Sequence, residues 1–209
     1  LALGATGGAS LLLRYDDGQF VPVTWTVPLT DSTHSLAWGD YDQDGDPDLA
    51  VGNLGQPNRL YRNGQDPAAT LPLIQSTVET SATRSVAWGD LDGDGDLDLA
   101  VGNDQVLSGP EADHIYCNSG APDFHLEVCW TSDDHSPTSD VAWGDYDGDG
   151  DLDLAASGSP GAATRIYINQ GGTLRTTAVE PRTDGEAEGQ ALAWGDVDGD
   201  GDLDLAVGY

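Results

Sequence analysis

Apolar and polar positions alternate with a period of two in four separated runs: VPVTWTV (21–27), LIQSTVE (73–79), FHLEVCW (124–130) and LRTTAVE (174–180). Such alternation, rich in β-branched residues, puts successive side chains on opposite faces of an extended chain and predicts strands. Between these runs lie short apolar stretches of another kind, first LAWG or VAWG, then DLAVG or DLAAS. They are too short for helices and are bounded by Gly, Pro and Asp. No segment carries a convincing period of 3.6. Along one unit the pattern predicts strand A around Leu36–Asp40, strand B at Leu49–Gly52, strand C at Arg59–Arg62 and strand D around Leu73–Val78.

The unit recurs. LAWGDYDQDGDPDLAVG (36–52) returns as VAWGDLDGDGDLDLAVG (86–102), VAWGDYDGDGDLDLAAS (141–157) and LAWGDVDGDGDLDLAVG (192–208). Trp38, Trp88, Trp143 and Trp194 mark the period at 50, 55 and 51 residues. A weaker motif follows the first three copies: RLYRNG (59–64), HIYCNSG (114–120) and RIYINQGG (165–172). Four strands in about fifty residues is the size of one propeller blade. The expected fold is therefore all-β, built of four-stranded antiparallel blades in a single region over residues 1–209. Residues 1–30 are expected to be a partial blade lacking its first strand, since LALG (1–4) copies strand B.

Charge sharpens the picture. The 209 residues carry a formal net charge of −30, from 37 acidic and 7 basic side chains, all of the latter Arg. A polyanion of this kind gains nothing from counterion release on nucleic acid, and an anionic membrane surface repels it. Apolar residues are 38% of the chain and six are Trp, so there is material for a core and not a disordered acidic tail. No apolar run is long enough to span a bilayer as a helix. The first residues lack a basic flank and do not read as a signal peptide. No Met occurs, from which a processed chain or a fragment is expected.

Twenty of the acidic residues lie in the four repeated loops. Counted from Asp40, carboxylates fall at positions 1, 3, 5, 7 and 9, with Gly45 at position 6. In D-x-D-x-D-G, alternate side chains converge on one point and the glycine permits a sharp turn, the logic of a calcium loop. Many hard oxygen donors in loose geometry favour calcium over magnesium. Position 12, where an EF-hand carries Glu, holds Val51, Val101, Ala156 and Val207 in apolar strands, which excludes an EF-hand. The position-9 carboxylate is expected to take over that ligand, with the carbonyl at position 7 binding and its side chain facing solvent. The competing reading is a solvated acidic loop. Four copies that keep Asp at 1, 3, 5 and 9 weigh against it, because unneutralised carboxylates repel.

With these residues in view, AWGDxDxDGDxDLAVG followed by LYRN resembles the FG-GAP or VCBS repeat of integrin α-subunit propellers and many secreted bacterial proteins. The resemblance covers essentially the whole chain. It implies one blade per repeat, strand A lining a central channel and a metal loop joining A to B on one face. It implies these ligand sets: Asp40, Asp42, Asp44 and Asp48 with the carbonyl of Asp46; Asp90, Asp92, Asp94 and Asp98 with that of Asp96; Asp145, Asp147, Asp149 and Asp153 with that of Asp151; Asp196, Asp198, Asp200 and Asp204 with that of Asp202. About four Ca²⁺ are implied, one per loop. Family propellers usually have about seven blades. Four repeats are expected to form an open section of a larger propeller or array, or to complete a sheet with a neighbouring copy.

The repeated Trp residues are expected to pack between blades, the alternative being stacking on a sugar. Trp25 and Trp130 fit alternating core or interblade positions on D strands. Cys117 on strand C and Cys129 on strand D come opposite each other if a hairpin turns near Ala121–Asp123, which predicts a disulfide and an oxidising compartment; a buried free pair is the alternative. His34, His114, His125 and His135 do not recur with the repeat, and no catalytic constellation stands out. The longer loops, 103–113, 131–139 and 180–190, would share the face opposite the metal loops, where function tends to vary. The expected function is a secreted or cell-surface, non-enzymatic module that recognises or adheres to a protein or glycan. The alternatives are a subunit of an extracellular fibre or surface layer, and the non-catalytic propeller part of a polysaccharide-active enzyme.

Overall fold

A computed structural model describes residues 2–3, 11–23, 31–64, 71–104, 111–158, 162–179 and 189–208. Five sheets follow one another along the chain, every strand pairing antiparallel with its neighbour in sequence, and no helix is present among the described residues. The first sheet holds β1 (Ala2–Leu3), β2 (Leu11–Asp16) and β3 (Gln19–Val23). The second holds β4 (Thr33–Gly39), β5 (Asp48–Asn53), β6 (Arg59–Tyr61) and β7 (Leu73–Ser76). The third holds β8 (Thr83–Gly89), β9 (Asp98–Asn103), β10 (His114–Asn118) and β11 (Leu126–Thr131). The fourth holds β12 (Thr138–Gly144), β13 (Asp153–Gly158) and β14 (Arg165–Tyr167), the fifth β15 (Ala191–Gly195) and β16 (Asp204–Gly208). The second and third sheets are the four-stranded blades the repeat predicts, and the others show three, three and two strands among the described residues. Trp25, Leu1, Gly4, residues 105–110 of one long loop and residues 180–188 of another lie outside the described residues.

Strand B explains why the blades stack. In β5 every residue is buried, so both faces of the strand are covered. Leu49 and Val51 pack backward with Leu12, Tyr61 and Leu71, whereas Ala50 faces forward with Leu60, Val86, Leu99 and Val101. One repeat later Leu99 and Val101 belong to that same cluster, and Ala100 faces forward with Ile115, Val141, Leu154 and Ala156. Period-two alternation thus puts large side chains against the blade before and small ones against the blade after. Each interblade space is filled from both sides. In β16 the pattern runs out: Leu205 and Val207 are half-buried while Ala206 is exposed.

The fourth strand of the third full unit departs from expectation. The described part of LRTTAVE, residues 174–179, runs back along β14 only through isolated bridges, Asn169 to Leu174 and Ile166 to Val179. Between them the chain is drawn sideways: Asp133 donates its N–H to the carbonyl of Thr176, and the Thr176 hydroxyl donates to the Asp133 carboxylate. These contacts to the loop entering the blade compete with the ladder. Trp130 meets its expectation: it is buried, edge-to-face with Tyr167 of the next blade at 4.9 Å.

Strands A form the seam of the row. The indole N–H of Trp88 donates to the carbonyl of Ala37 of the preceding blade at 3.2 Å, and Trp143 and Trp194 repeat this on Ala87 and Ala142. Gly39, Gly89 and Gly144 make room: a Cβ there would stand within 2.8 Å of the incoming ring. Among the described residues the seam of A strands has no partner at either end. Trp38, expected to pack between blades, is 40% exposed because the first sheet offers no described strand A to it, and nothing lies within 4 Å of a Cβ placed on Gly195.

Candidate metal centres

Each acidic loop leaves the end of strand A, turns through glycines with positive φ and re-enters as strand B. Gly45, Gly95, Gly150 and Gly201, at position 6, have φ between 92° and 99°, a region open to glycine and costly for other residues. The turn is held by its own carboxylates. At position 1, Asp40, Asp90, Asp145 and Asp196 accept the N–H of the position-6 glycine at 3.0–3.1 Å. At position 5, Asp44, Asp94, Asp149 and Asp200 accept the N–H of Asp46, Asp96, Asp151 and Asp202 at 2.9–3.1 Å.

Position 9 is the anchor, and it opens the buried strand B. Asp48 accepts the N–H of Tyr41 on one oxygen and that of Asn63 on the other, at 3.2 and 2.7 Å. Asp98 does the same with Leu91 and Asn118, and Asp153 with Tyr146 and Asn169. Burial pushes the carboxyls of Asp48 and Asp98 up to about 6, against the pull of these backbone donors, and that of Asp153 also rises. A carboxylate that resists ionisation in the bare fold gains most when a cation sits beside it.

Three of the four carboxylates implied for each loop come together, while Asp44, Asp149 and Asp200 at position 5 and Asp98 at position 9 stand outside these groups. Oxygens of Asp40, Asp42 and Asp48 lie within 4.8 Å of one another, as do those of Asp145, Asp147 and Asp153, and those of Asp196, Asp198 and Asp204. In the second loop the set is Asp90, Asp92 and Asp94. None of the histidines belongs to such a set among the described residues. The donor chemistry is hard oxygen throughout. In the first loop Asp40 Oδ1 is buried with no hydrogen-bond partner, an orphaned acceptor that a cation would satisfy. The residues fit a hard divalent ion.

Two features go beyond the sequence reading. The position-7 side chains do not simply face water in the first three loops: in the first, Asp46 Oδ2 is buried with no hydrogen-bond partner. Asp96 accepts from Gln43 Nε2 at 2.7 Å, and Asp151 from the N–H of Gly171 at 3.0 Å, so these carboxylates tie the loop to a neighbouring turn. The second is the Asn of the weaker motif. Asn118 donates from its side chain to the carbonyls of Tyr41 and Leu97, and Asn169 to those of Leu91 and Leu152. Each Asn joins the loop of its own blade to the loop before it, chaining the centres together. Its recurrence in YRN, YCN and YIN is the signal that could have found it.

Cys117 and Cys129 form a disulfide across β10 and β11, with Cα atoms 5.6 Å apart, as the hairpin predicts. His34 lies beside Arg84, His114 beside Thr131 and His125 beside Glu127.

A sequence model of the FG-GAP-like repeat matches residues 1–51, 40–101 and 145–207. A search of the curated proteins found no match. Among solved structures, one described as the crystal structure of BBS1N in complex with ARL6DN, soaked with lead, is similar to the chain at a TM-score of 0.51 and 17% identity. The likeness covers 87% of this chain and 48% of that one, so the chain spans about half its length. At that identity it speaks for the propeller fold alone.

Proposed function

Starting from a chain that belongs to the FG-GAP-like repeat family, we propose a calcium-stabilised propeller module, secreted or at a cell surface, that recognises or adheres to a protein or glycan and is not an enzyme. The observation that carries the metal reading is that in each of the four loops oxygens of three Asp carboxylates lie within 4.8 Å of one another, with an orphaned buried oxygen in the first loop. Ca²⁺ supplies positive charge and many loosely arranged oxygen coordination positions. Asp40, Asp42, Asp44 and Asp48 would hold it in the first loop, with the matching residues in the other three. Its role is structural: an ion that binds the folded loops and leaves the unfolded chain stabilises by linkage.

The disulfide between Cys117 and Cys129 supports an oxidising compartment. A binding role is favoured over catalysis because the carboxylates recur in four near-identical loops, the mark of a scaffold, whereas catalysis needs a unique constellation. Chelation with EDTA is expected to lower the melting temperature, and calcium to restore it. An unchanged melt after verified metal removal would refute the structural role.

A second reading, assembly through further blades of the same kind on a neighbouring chain, has one specific observation behind it. The two ends of the A-strand seam, among the described residues, display the two halves of the repeated joint, an exposed Trp38 and a bare Gly195. Sedimentation of the chain in calcium, against a Trp38→Ala variant, tests it.

A further inference from the structure

The four loops are not equivalent, and one difference lies outside the repeated motif. Arg62, at the end of strand C, places Nε 2.6 Å from Asp42 Oδ2 and Nη2 3.2 Å from Asp44 Oδ2. The Asp42 side chain is only 2% exposed and its Oδ2 has no hydrogen-bond partner, so the guanidinium meets its charge as an ion pair by proximity alone, and water hardly at all. In the next two repeats the corresponding residues are Cys117, held in a disulfide, and Ile168, which is apolar. The other ion pairs of arginine among the described residues lead elsewhere, to Asp16, Asp31, Asp104, Asp113 and Asp134. Among the described residues only the first loop therefore carries an internal counter-ion.

A second difference points the same way. Position 4 is Gly93, Gly148 and Gly199 in the later loops but Gln43 in the first. Gln43 adopts φ 57° and donates to the carbonyl of Gly95 and the carboxylate of Asp96, at 2.9 and 2.7 Å. The first loop is thus braced to the second by a side chain and partly neutralised by another. It has less need of an ion to hold its shape.

We propose that Arg62 makes the first loop the weakest of the four calcium sites, closed by the guanidinium at low calcium and filled last. The inference rests on the calcium reading above and adds an order to it. Calcium and Arg62 compete for Asp42 and Asp44: an ion placed among these carboxylates must displace the guanidinium or share their charge with it. Arg62 is 47% exposed, so water can receive it when it leaves. The chain then has two calcium regimes. Three centres rigidify the later blades first, and the loop of the second sheet responds separately at higher concentration.

The test is residue-resolved. In ¹⁵N-labelled full chain, the amides of Gly45, Gly95, Gly150 and Gly201 each donate to the position-1 carboxylate of their own loop and report it individually. Calcium is lowered stepwise from saturation with chelator buffers, so that every variant starts folded. Gly45 is expected to release calcium at about tenfold higher free concentration than the others, a difference of the size expected for a partly exposed guanidinium on two carboxylates. Arg62→Ala should bring the Gly45 midpoint down about tenfold, leave the other three in place, and lower the melting temperature in chelator but not in saturating calcium. Equal midpoints at all four glycines in the unmodified chain, or a Gly45 midpoint unmoved by Arg62→Ala, would overturn the inference and leave the calcium reading standing. No response at any of the four would overturn both.

Discussion

The indole ring of Trp143 comes within 2.7 Å of the point where a Cβ on Gly89 would stand, and its N–H is bonded to Ala87 on the same strand. The same joint unites Trp88 with Gly39 and Trp194 with Gly144. A methyl group at Gly89 would meet ring carbons within a packed seam, and overpacking of this kind costs about 1–3 kcal/mol. Gly89→Ala should lose that much in denaturant unfolding. Gly195→Ala, where nothing lies within 4 Å, should stay within about 0.5 kcal/mol of the unmodified chain. Equal effects would show that the joint does not carry the stacking.

Asp92 belongs to the converging set of the second loop, whereas the side chain of Asp96 turns to Gln43. Removing a direct ligand should weaken calcium about tenfold or more, which is about 1.4 kcal/mol of linkage stabilisation and about 3–6 °C of melting temperature for a chain of this size. Asp92→Ala is therefore expected to melt lower in calcium than Asp96→Ala, by calorimetry. Equal losses would undo the position-by-position assignment.

Asp113 is buried among Arg165, Thr138 and the N–H of Asn103. Burial pushes its carboxyl up to about 6, although Arg165 pulls it down. Because the folded value lies above the unfolded one, the protonated form favours the fold. The contribution of this group is full below about pH 4 and is lost as pH rises through about 6. Stability of the unmodified chain relative to Asp113→Asn, in saturating calcium, should fall by on the order of 3 kcal/mol between pH 4 and pH 7. A difference that rises with pH would reverse the account of this site.

The Cys117–Cys129 bridge closes a hairpin whose ends are twelve residues apart. Chain entropy assigns about 3 kcal/mol to a loop near this length. The double variant Cys117→Ser, Cys129→Ser should shift the urea midpoint down by a corresponding amount with no change in calcium stoichiometry. An unshifted midpoint would show that the bridge contributes nothing to the third sheet.

Much of this was legible in the residues because the repeat states each rule four times. Strand B, the acidic turn and the interblade place of Trp88, Trp143 and Trp194 all follow from patterns that recur. The D segment at 174–180 was not legible. Its alternation reads as a strand, but Asp133 and Thr176 bond across to each other, a tertiary contact that composition does not reveal. Arg62 was missed for the opposite reason. It occurs once, so periodicity passes over it, and only the approach of strand C to the first loop brings it to Asp42. The position-7 carboxylates read as solvent-facing because the hairpins that receive Asp96 and Asp151 come from distant parts of the chain.

Whether ions hold the acidic turns is open to direct count. Chain purified without chelator and dialysed against micromolar calcium would be analysed for bound metal by elemental analysis, with anomalous scattering from crystals to place it. Four calcium ions per chain, one at each of the sets led by Asp40, Asp90, Asp145 and Asp196, is the expected result. A folded chain holding none would contradict it.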